Sequence, residues 1–102
     1  MKKYAQETIC IQGGYEPKNG EPRILPIFQS TTYKYDEADE VAKLFDLEAA
    51  GHMYSRISNP TVEALEKKIA EMEGGVGAMA TSSGQAANLI AVLTICNAGE
   101  HV

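Results

Sequence analysis

Positive charge is scarce in this chain. Nine lysines and arginines stand against fourteen aspartates and glutamates, a net charge of −5. That balance argues against a general nucleic-acid-binding face and against a polybasic membrane patch, so any anion site must be local. Cysteine is scarcer. Cys10 and Cys96 form no C-x-x-C pair, and Cys96 lies in the most apolar helical pattern, where a buried thiol in a reducing, cytoplasmic setting is expected. Long apolar runs are missing too. Ala86 to Cys96, with Asn88 inside it, is about half of the ~20 residues that a membrane span requires. Lys2 and Lys3 could open a signal peptide, but Gln6, Glu7 and Thr8 occupy the place of its apolar core. His52 and His101 make no metal-ligand spacing, and no metal site is expected. Neither G-x-x-x-x-G-K-[ST] nor a helix-opening G-x-G-x-x-G occurs.

What is present, 102 residues at 44% hydrophobic content, amounts to one small domain at most. Residues 1–35 carry Gly13-Gly14, Pro17, Gly20, Pro22 and Pro26, a density of breakers that reads as an extended arm. Ile24, Leu25, Ile27, Phe28, Tyr33 and Tyr35 give that arm enough apolar surface to lie against its own chain or another subunit. Asp36 reads as an N-cap before a helix carrying Ala38, Val41, Ala42, Phe45 and Ala49, closed by Gly51. Asn59-Pro60 is a second helix start: asparagine caps, and proline at the first helical position loses nothing by lacking an N–H. Val62, Leu65, Ile69 and Met72 form one apolar face, Glu63, Glu66, Lys67 and Lys68 face water, Glu63 pairs with Lys67 one turn on, and Gly74-Gly75 ends the helix.

Val76 to Thr81 then reads as a short strand covered on both faces, and Gln85 to Ala98 as a helix apolar nearly all round. Gly99 stops it, and Glu100-His101-Val102 resembles the opening of another strand. One strand and the start of a second make no stable parallel sheet, so the pattern reads as part of a larger α/β protein with an incomplete parallel sheet: an arm over 1–35, then the beginning of a domain over 36–102.

Two constellations carry chemistry. In Thr81-Ser82-Ser83-Gly84-Gln85 a strand turns into a helix whose first amides lack intrahelical partners and carry the positive end of the dipole. Gly84 would let a phosphate approach that backbone. The plainer reading, a serine cap and an ordinary tight turn, is the stronger one on this stretch alone. In Tyr54-Ser55-Arg56, an extended backbone would put the tyrosine and arginine on one face ~7 Å apart, a phenol and a guanidinium fork suited to a phosphate. A surface tyrosine and a solvated arginine fit the residues equally well.

Together, Tyr54-x-Arg56-x-x-Asn59-Pro60-Thr61 followed after a helix by Ser82-Ser83-Gly84-Gln85-Ala86-Ala87 resembles the pyridoxal-phosphate enzymes of cysteine and methionine metabolism, the cystathionine gamma-synthase-like group. The resemblance covers almost the whole chain as an N-terminal segment. Pro26-Ile27-Phe28-Gln29-Ser30-Thr31-Thr32-Tyr33, the Leu44 to Tyr54 approach and Gln85 look most like its O-acetylhomoserine sulfhydrylases.

The resemblance implies a fold-type I transferase. Backbone amides of Gly84 and Gln85 would hold the phosphate of pyridoxal 5'-phosphate. Tyr54 and Arg56 would reach the phosphate of a neighbouring subunit's cofactor, and Tyr54 is also a candidate acid/base. It further implies a cytoplasmic homotetramer with shared sites, acting on O-acetyl-L-homoserine and sulfide or a thiol. The family's Schiff-base lysine lies in a serine- or threonine-rich turn well downstream. Lys34, beside Thr31 and Thr32, reads instead as a solvated surface lysine, and His52 as a solvated loop residue. Two other readings stay open: a related cystathionine gamma-synthase or gamma-lyase, and a non-catalytic fragment that only assembles with a full-length subunit.

Overall fold

A helix of seven residues is marginal in water by itself, and the first element, α1 (Gln6–Gln12), stands because it lies against a longer one. The computed structural model describes residues 4–102, so Lys2 and Lys3 fall outside the described residues. Three further helices follow: α2 (Ala38–Phe45), α3 (Pro60–Glu73) and α4 (Gly84–Ile95). The arm over 1–35 is therefore extended only in part, because α1 forms ahead of its first breaker, Gly13.

α1 packs on α3, but not on the apolar stripe that the sequence suggests. A Cβ added at Gly14, whose φ is +82°, would stand 2.1 Å from the Ala64 carbonyl oxygen and 2.9 Å from the Lys68 Cβ. Backbone thus touches backbone at Gly14, where no other residue fits. Lys68 donates from Nζ to the Cys10 carbonyl at 3.3 Å, and Gln6 Nε2 to the Met72 carbonyl at 3.4 Å. Lys68 is half-buried rather than in water, while Val62, Leu65 and Ile69 remain over two-fifths exposed. The stripe is real, but α1 does not cover it.

α2 starts at Ala38, after Glu37, with no side-chain cap. Asp36 is not its N-cap: its carboxylate pairs with Lys34 Nζ, both groups being exposed, as the reading of Lys34 as a solvated lysine required. The helix also stops earlier than Gly51. Leu47 turns left-handed at φ 59°, the Glu48 amide reaches back to the Lys43 carbonyl at 2.8 Å, and the Leu47 amide to the Leu44 carbonyl at 3.3 Å. This is a Schellman stop with leucine where glycine is usual. Leu44, which the proposed stripe omitted, is the buried residue of α2, while Phe45 is exposed. Gly51 lies under Leu44 and the Tyr35 hydroxyl, 3.0 and 3.1 Å from where its Cβ would be.

α3 follows its sequence signals closely. Asn59 caps it through the Thr61 amide, Pro60 is its first residue, and Gly74 leaves it left-handed at φ 67°. The Glu63–Lys67 pair forms at 2.9 Å. Beyond α3, Val76 to Thr81 has no ladder partner. No strand occurs among the described residues, only an isolated antiparallel bridge between Thr32 and Tyr54. An amide in a strand needs a neighbouring strand, and here the Ala80 amide bonds instead to the Glu66 carboxylate at 2.7 Å.

α4 ends at Ile95, short of Ala98. Gly99, at φ 90°, belongs to a separate turn closed by the Glu100 amide on the Asn97 carbonyl at 3.1 Å. Leu89, Leu93 and Ile95 are each more than half exposed. Cys96 is half-buried, not buried, and Cys10 is exposed; both are free.

Among the described residues only Leu44, Ala70 and Asn59 count as buried. The radius of gyration, 16.6 Å, exceeds the roughly 13 Å of a compact domain of about 100 residues. An open shape with bare apolar helices agrees with a part of a larger core. No helix among the described residues is long and apolar enough to cross a membrane.

Candidate phosphate-binding site

The segment between α2 and α3 is a turn, not an extended strand. The Ile57 and Ser58 amides both return to the Tyr54 carbonyl, at 2.9 and 3.0 Å. Tyr54 and Arg56 still meet, by another route than the pleat: the guanidinium carbon lies 5.1 Å from the centre of the Tyr54 ring. That stack keeps the charge beside the phenol at little solvation cost. Tyr54 is half-buried and Arg56 exposed.

Ser55, between them, is tied down. Its amide donates to the Thr31 carbonyl at 2.9 Å, and its hydroxyl donates to the Ser30 carbonyl. His52 is not a solvated loop residue. Its side chain is 22% exposed, with Nε2 3.3 Å from Glu63, Nδ1 3.1 Å from the Ser58 hydroxyl and its ring 6.0 Å from that of Tyr33. Glu63 in turn has its pKa held below the usual carboxylate value, first by the Lys67 hydrogen bond, with the charges of Lys67 and His52 adding and partial burial opposing.

The start of α4 is built differently. Ser83 Oγ accepts the Ala86 amide at 3.1 Å, and the Ser83 carbonyl accepts the Ala87 amide at 3.1 Å. Gly84 and Gln85 precede these bonds, so their amides stay open at the positive end of the helix. A Cβ at Gly84 would meet nothing within 4 Å. Unpaired donors at a helix start fit a phosphate group.

Arg56 and Ser82 line one open groove of ≈ 580 Å³ between the 51–59 segment and the approach to α4, together with Thr81 and Ala86. Tyr54, Gly84 and Gln85 do not line it. Within one chain the groove therefore joins Arg56 to the approach of α4 but not to Tyr54 or to the Gly84 and Gln85 amides. No cluster of three or more metal-ligating side chains occurs among the described residues.

The sequence pattern did not reveal the role of Asn59 and Thr61 in docking the arm. Thr61 Oγ1 accepts the Phe28 amide at 2.9 Å and donates to the Pro26 carbonyl at 3.2 Å. Asn59 Nδ2 donates to the Phe28 carbonyl at 3.0 Å. A readable signal was the polar side chain directly ahead of Pro60 with hydroxyls on either side, more hydrogen-bonding capacity than a cap alone uses.

The chain is similar to known proteins in fold and in sequence. The chain has a TM-score of 0.87 and 33% identity with the crystal structure of a protein of Campylobacter jejuni described as an O-acetylhomoserine (thiol)-lyase. The match covers 95% of this chain and 23% of that one, which carries N'-pyridoxyl-lysine-5'-monophosphate at its position 205. The class is thus that of pyridoxal-phosphate enzymes of the fold-type I kind. The model of the family described as Cys/Met metabolism PLP-dependent enzyme matches residues 7–102, and the chain belongs to that family. Among its relatives are the O-acetyl-L-homoserine sulfhydrylases of Leptospira meyeri, 42% identical over 99% of this chain, and of Corynebacterium glutamicum, 54% identical over 94%. The L-methionine gamma-lyase of Fusobacterium nucleatum subsp. polymorphum is 41% identical over 99%. This chain spans 22 to 26% of the length of these relatives.

Proposed function

We propose that this chain is the N-terminal portion of a pyridoxal-phosphate-dependent sulfhydrylase, which converts O-acetyl-L-homoserine and sulfide, or a thiol, to L-homocysteine, or methionine, and acetate. The observation that carries this reading is the match of nearly the whole chain, at 42 and 54% identity, to two proteins named for that reaction. In this reading residues 1–35 are an arm contacting a second subunit and residues 36–102 begin the cofactor domain of a cytoplasmic homotetramer. Val76 to Thr81 becomes a strand once its parallel neighbours are present.

Bound cofactor supplies an electron sink that stabilises negative charge developing on the substrate carbons. The residues of this chain hold and orient it. The open amides of Gly84 and Gln85 donate to its phosphate, with the α4 dipole favouring the anion. Arg56 offers two parallel donors to the phosphate held by a partner subunit. The Tyr54 hydroxyl donates there too, and is the group of this chain that can pass a proton to or from the substrate.

Removing the Arg56 guanidinium should cost about 1.5 to 3 kcal/mol, roughly ten- to a hundredfold in cofactor affinity. In the full-length enzyme, Arg56→Ala should be nearly inactive at limiting cofactor, as should a variant lacking the downstream cofactor-bearing lysine. Mixed under subunit exchange, the two should regain part of the activity, because some sites then join an intact lysine from one chain to an intact Arg56 from another. No recovery in oligomers shown by mass spectrometry to be mixed would reject the shared site.

The gamma-lyase relative favours a second reading, breakdown of a sulfur amino acid by the same site. Homocysteine formed from O-acetyl-L-homoserine and sulfide, without thiol release from methionine, decides for the first. A fragment that acts only by assembling with a full-length subunit would form neither product alone.

A further inference from the structure

Asn59 is the buried polar residue of the described chain, 8% exposed, and its amide is fixed at both ends by backbone. Oδ1 accepts the Thr61 amide at 2.9 Å. Nδ2 reaches the Phe28 carbonyl at 3.0 Å, the Ser55 hydroxyl at 3.0 Å and, most distantly, the Tyr33 hydroxyl at 3.4 Å. An amide nitrogen carries two hydrogens, so the two shorter contacts use both.

The direction of the remaining bonds follows. Ser55 gives its one hydroxyl hydrogen to the Ser30 carbonyl and so accepts from Asn59. It accepts from the Tyr33 hydroxyl as well, at 3.3 Å. The distant arm at Phe28 to Tyr33, the turn at Ser55 and the start of α3 four residues on are thereby joined at one side chain.

We propose that Asn59 is a positioning residue: through Ser55 it holds the Tyr54–Arg56 turn in the conformation that presents both side chains to a phosphate. The inference rests on the phosphate role proposed above for Tyr54 and Arg56. Ser55 is the central residue of that turn, and its hydroxyl and amide are both tied to the arm. With the Asn59 donor gone, the flanking pair stays in the chain but loses its fixed bearing, and binding must then order an exposed arginine that was ordered before.

The test uses the full-length enzyme stripped of cofactor. Asn59→Asp keeps the Oδ1 acceptor, and hence the α3 cap, but removes both Nδ2 hydrogens and sets an acceptor against the Phe28 carbonyl. Ser55→Ala removes the relay without touching the cap, and serves if the aspartate variant folds poorly. Pyridoxal phosphate is titrated by visible absorbance, so the readout is affinity and not turnover. Each variant should bind about tenfold more weakly, the loss of one or two hydrogen bonds' worth of order. On an Arg56→Ala background each should add clearly less than it costs alone, because one of the two positioned groups is already gone. Amide hydrogen exchange at position 55 should quicken in both variants. Normal affinity in Asn59→Asp and Ser55→Ala beside an impaired Arg56→Ala overturns this inference alone. Losses that multiply with Arg56→Ala also overturn it, since a general loosening of the fold would behave so. Normal affinity in Arg56→Ala overturns the phosphate role and this inference with it.

Discussion

The starts of α3 and α4 are both capped by a polar side chain on an extended residue, yet one is closed and the other open. Asn59 caps α3 from a buried position and reaches 31 residues back to Phe28 with its other end. Ser83 caps α4 from an exposed position, and its side chain reaches three residues forward and no farther. The local geometry is the same, extended backbone followed by helix. The surroundings differ. Where the arm lies over the helix start, the capping group becomes part of the packing. Where nothing lies over it, amides remain for a ligand. A cap signal in a sequence thus locates a helix start without saying whether that start is structural or functional.

The largest test of this contrast is stability. Asn59→Ala in the full-length protein removes a cap, about 1 kcal/mol, and leaves the Phe28 carbonyl and Ser55 hydroxyl short of a donor, about 1 to 3 kcal/mol. A loss of about 2 to 4 kcal/mol is expected from denaturant unfolding. Ser83→Ala should cost only about 1 kcal/mol. Equal losses would erase the distinction between the two starts.

Cofactor retention sharpens it from the other side. Gly84→Val puts a branched side chain where the phosphate approaches and should weaken binding by roughly tenfold or more. The melting temperature of the cofactor-free protein should hardly move, since the new Cβ meets nothing within 4 Å. Asn88→Ala, one turn farther on, should retain cofactor like the wild type on dialysis. Unchanged retention in Gly84→Val would remove the open start from the site.

The smallest effect concerns Glu63, in the first turn of α3. Its folded-state pKa lies below the ordinary value of 4.5. Its contribution is therefore fully present above that value and is lost as pH falls through the lowered one. With the carboxylate 43% exposed, solvent limits the effect to about 0.2 to 1 kcal/mol. Glu63→Gln should be less stable than wild type by that margin at pH 7, and the two should converge in acid. A constant difference at all pH values would detach Glu63 from the Lys67 and His52 charges.

Signals lying within a few residues of one another were legible in the sequence. Asn59-Pro60 at one end and Gly74 at the other bound α3 correctly, because a cap, a proline and a left-handed glycine act through bonds to neighbours in the chain. The motif from Tyr54 to Thr61 and the Ser82 to Ala87 run likewise carried the family resemblance. α2 was misjudged at both ends. Asp36 has cap chemistry but pairs with Lys34, and Leu47 takes a conformation that favours glycine. Propensity was overruled there by Leu44, which is buried near Gly51 and Tyr35.

By itself the sequence determined where α3 lies, that α4 begins beside Gly84, and to which family the chain is similar, since each depends on local chemistry or on residue identity. Tertiary structure alone decided that Gly13-Gly14 presses α1 onto α3, that Tyr54 and Arg56 stack across a turn, and that Asn59 binds the arm. It also decided that Val76 to Thr81 is no ladder strand among the described residues. The reason is physical. A close approach, a stack and a hydrogen bond across 31 residues each depend on which distant group arrives, and a strand exists only when a second one supplies the other half of its hydrogen bonds.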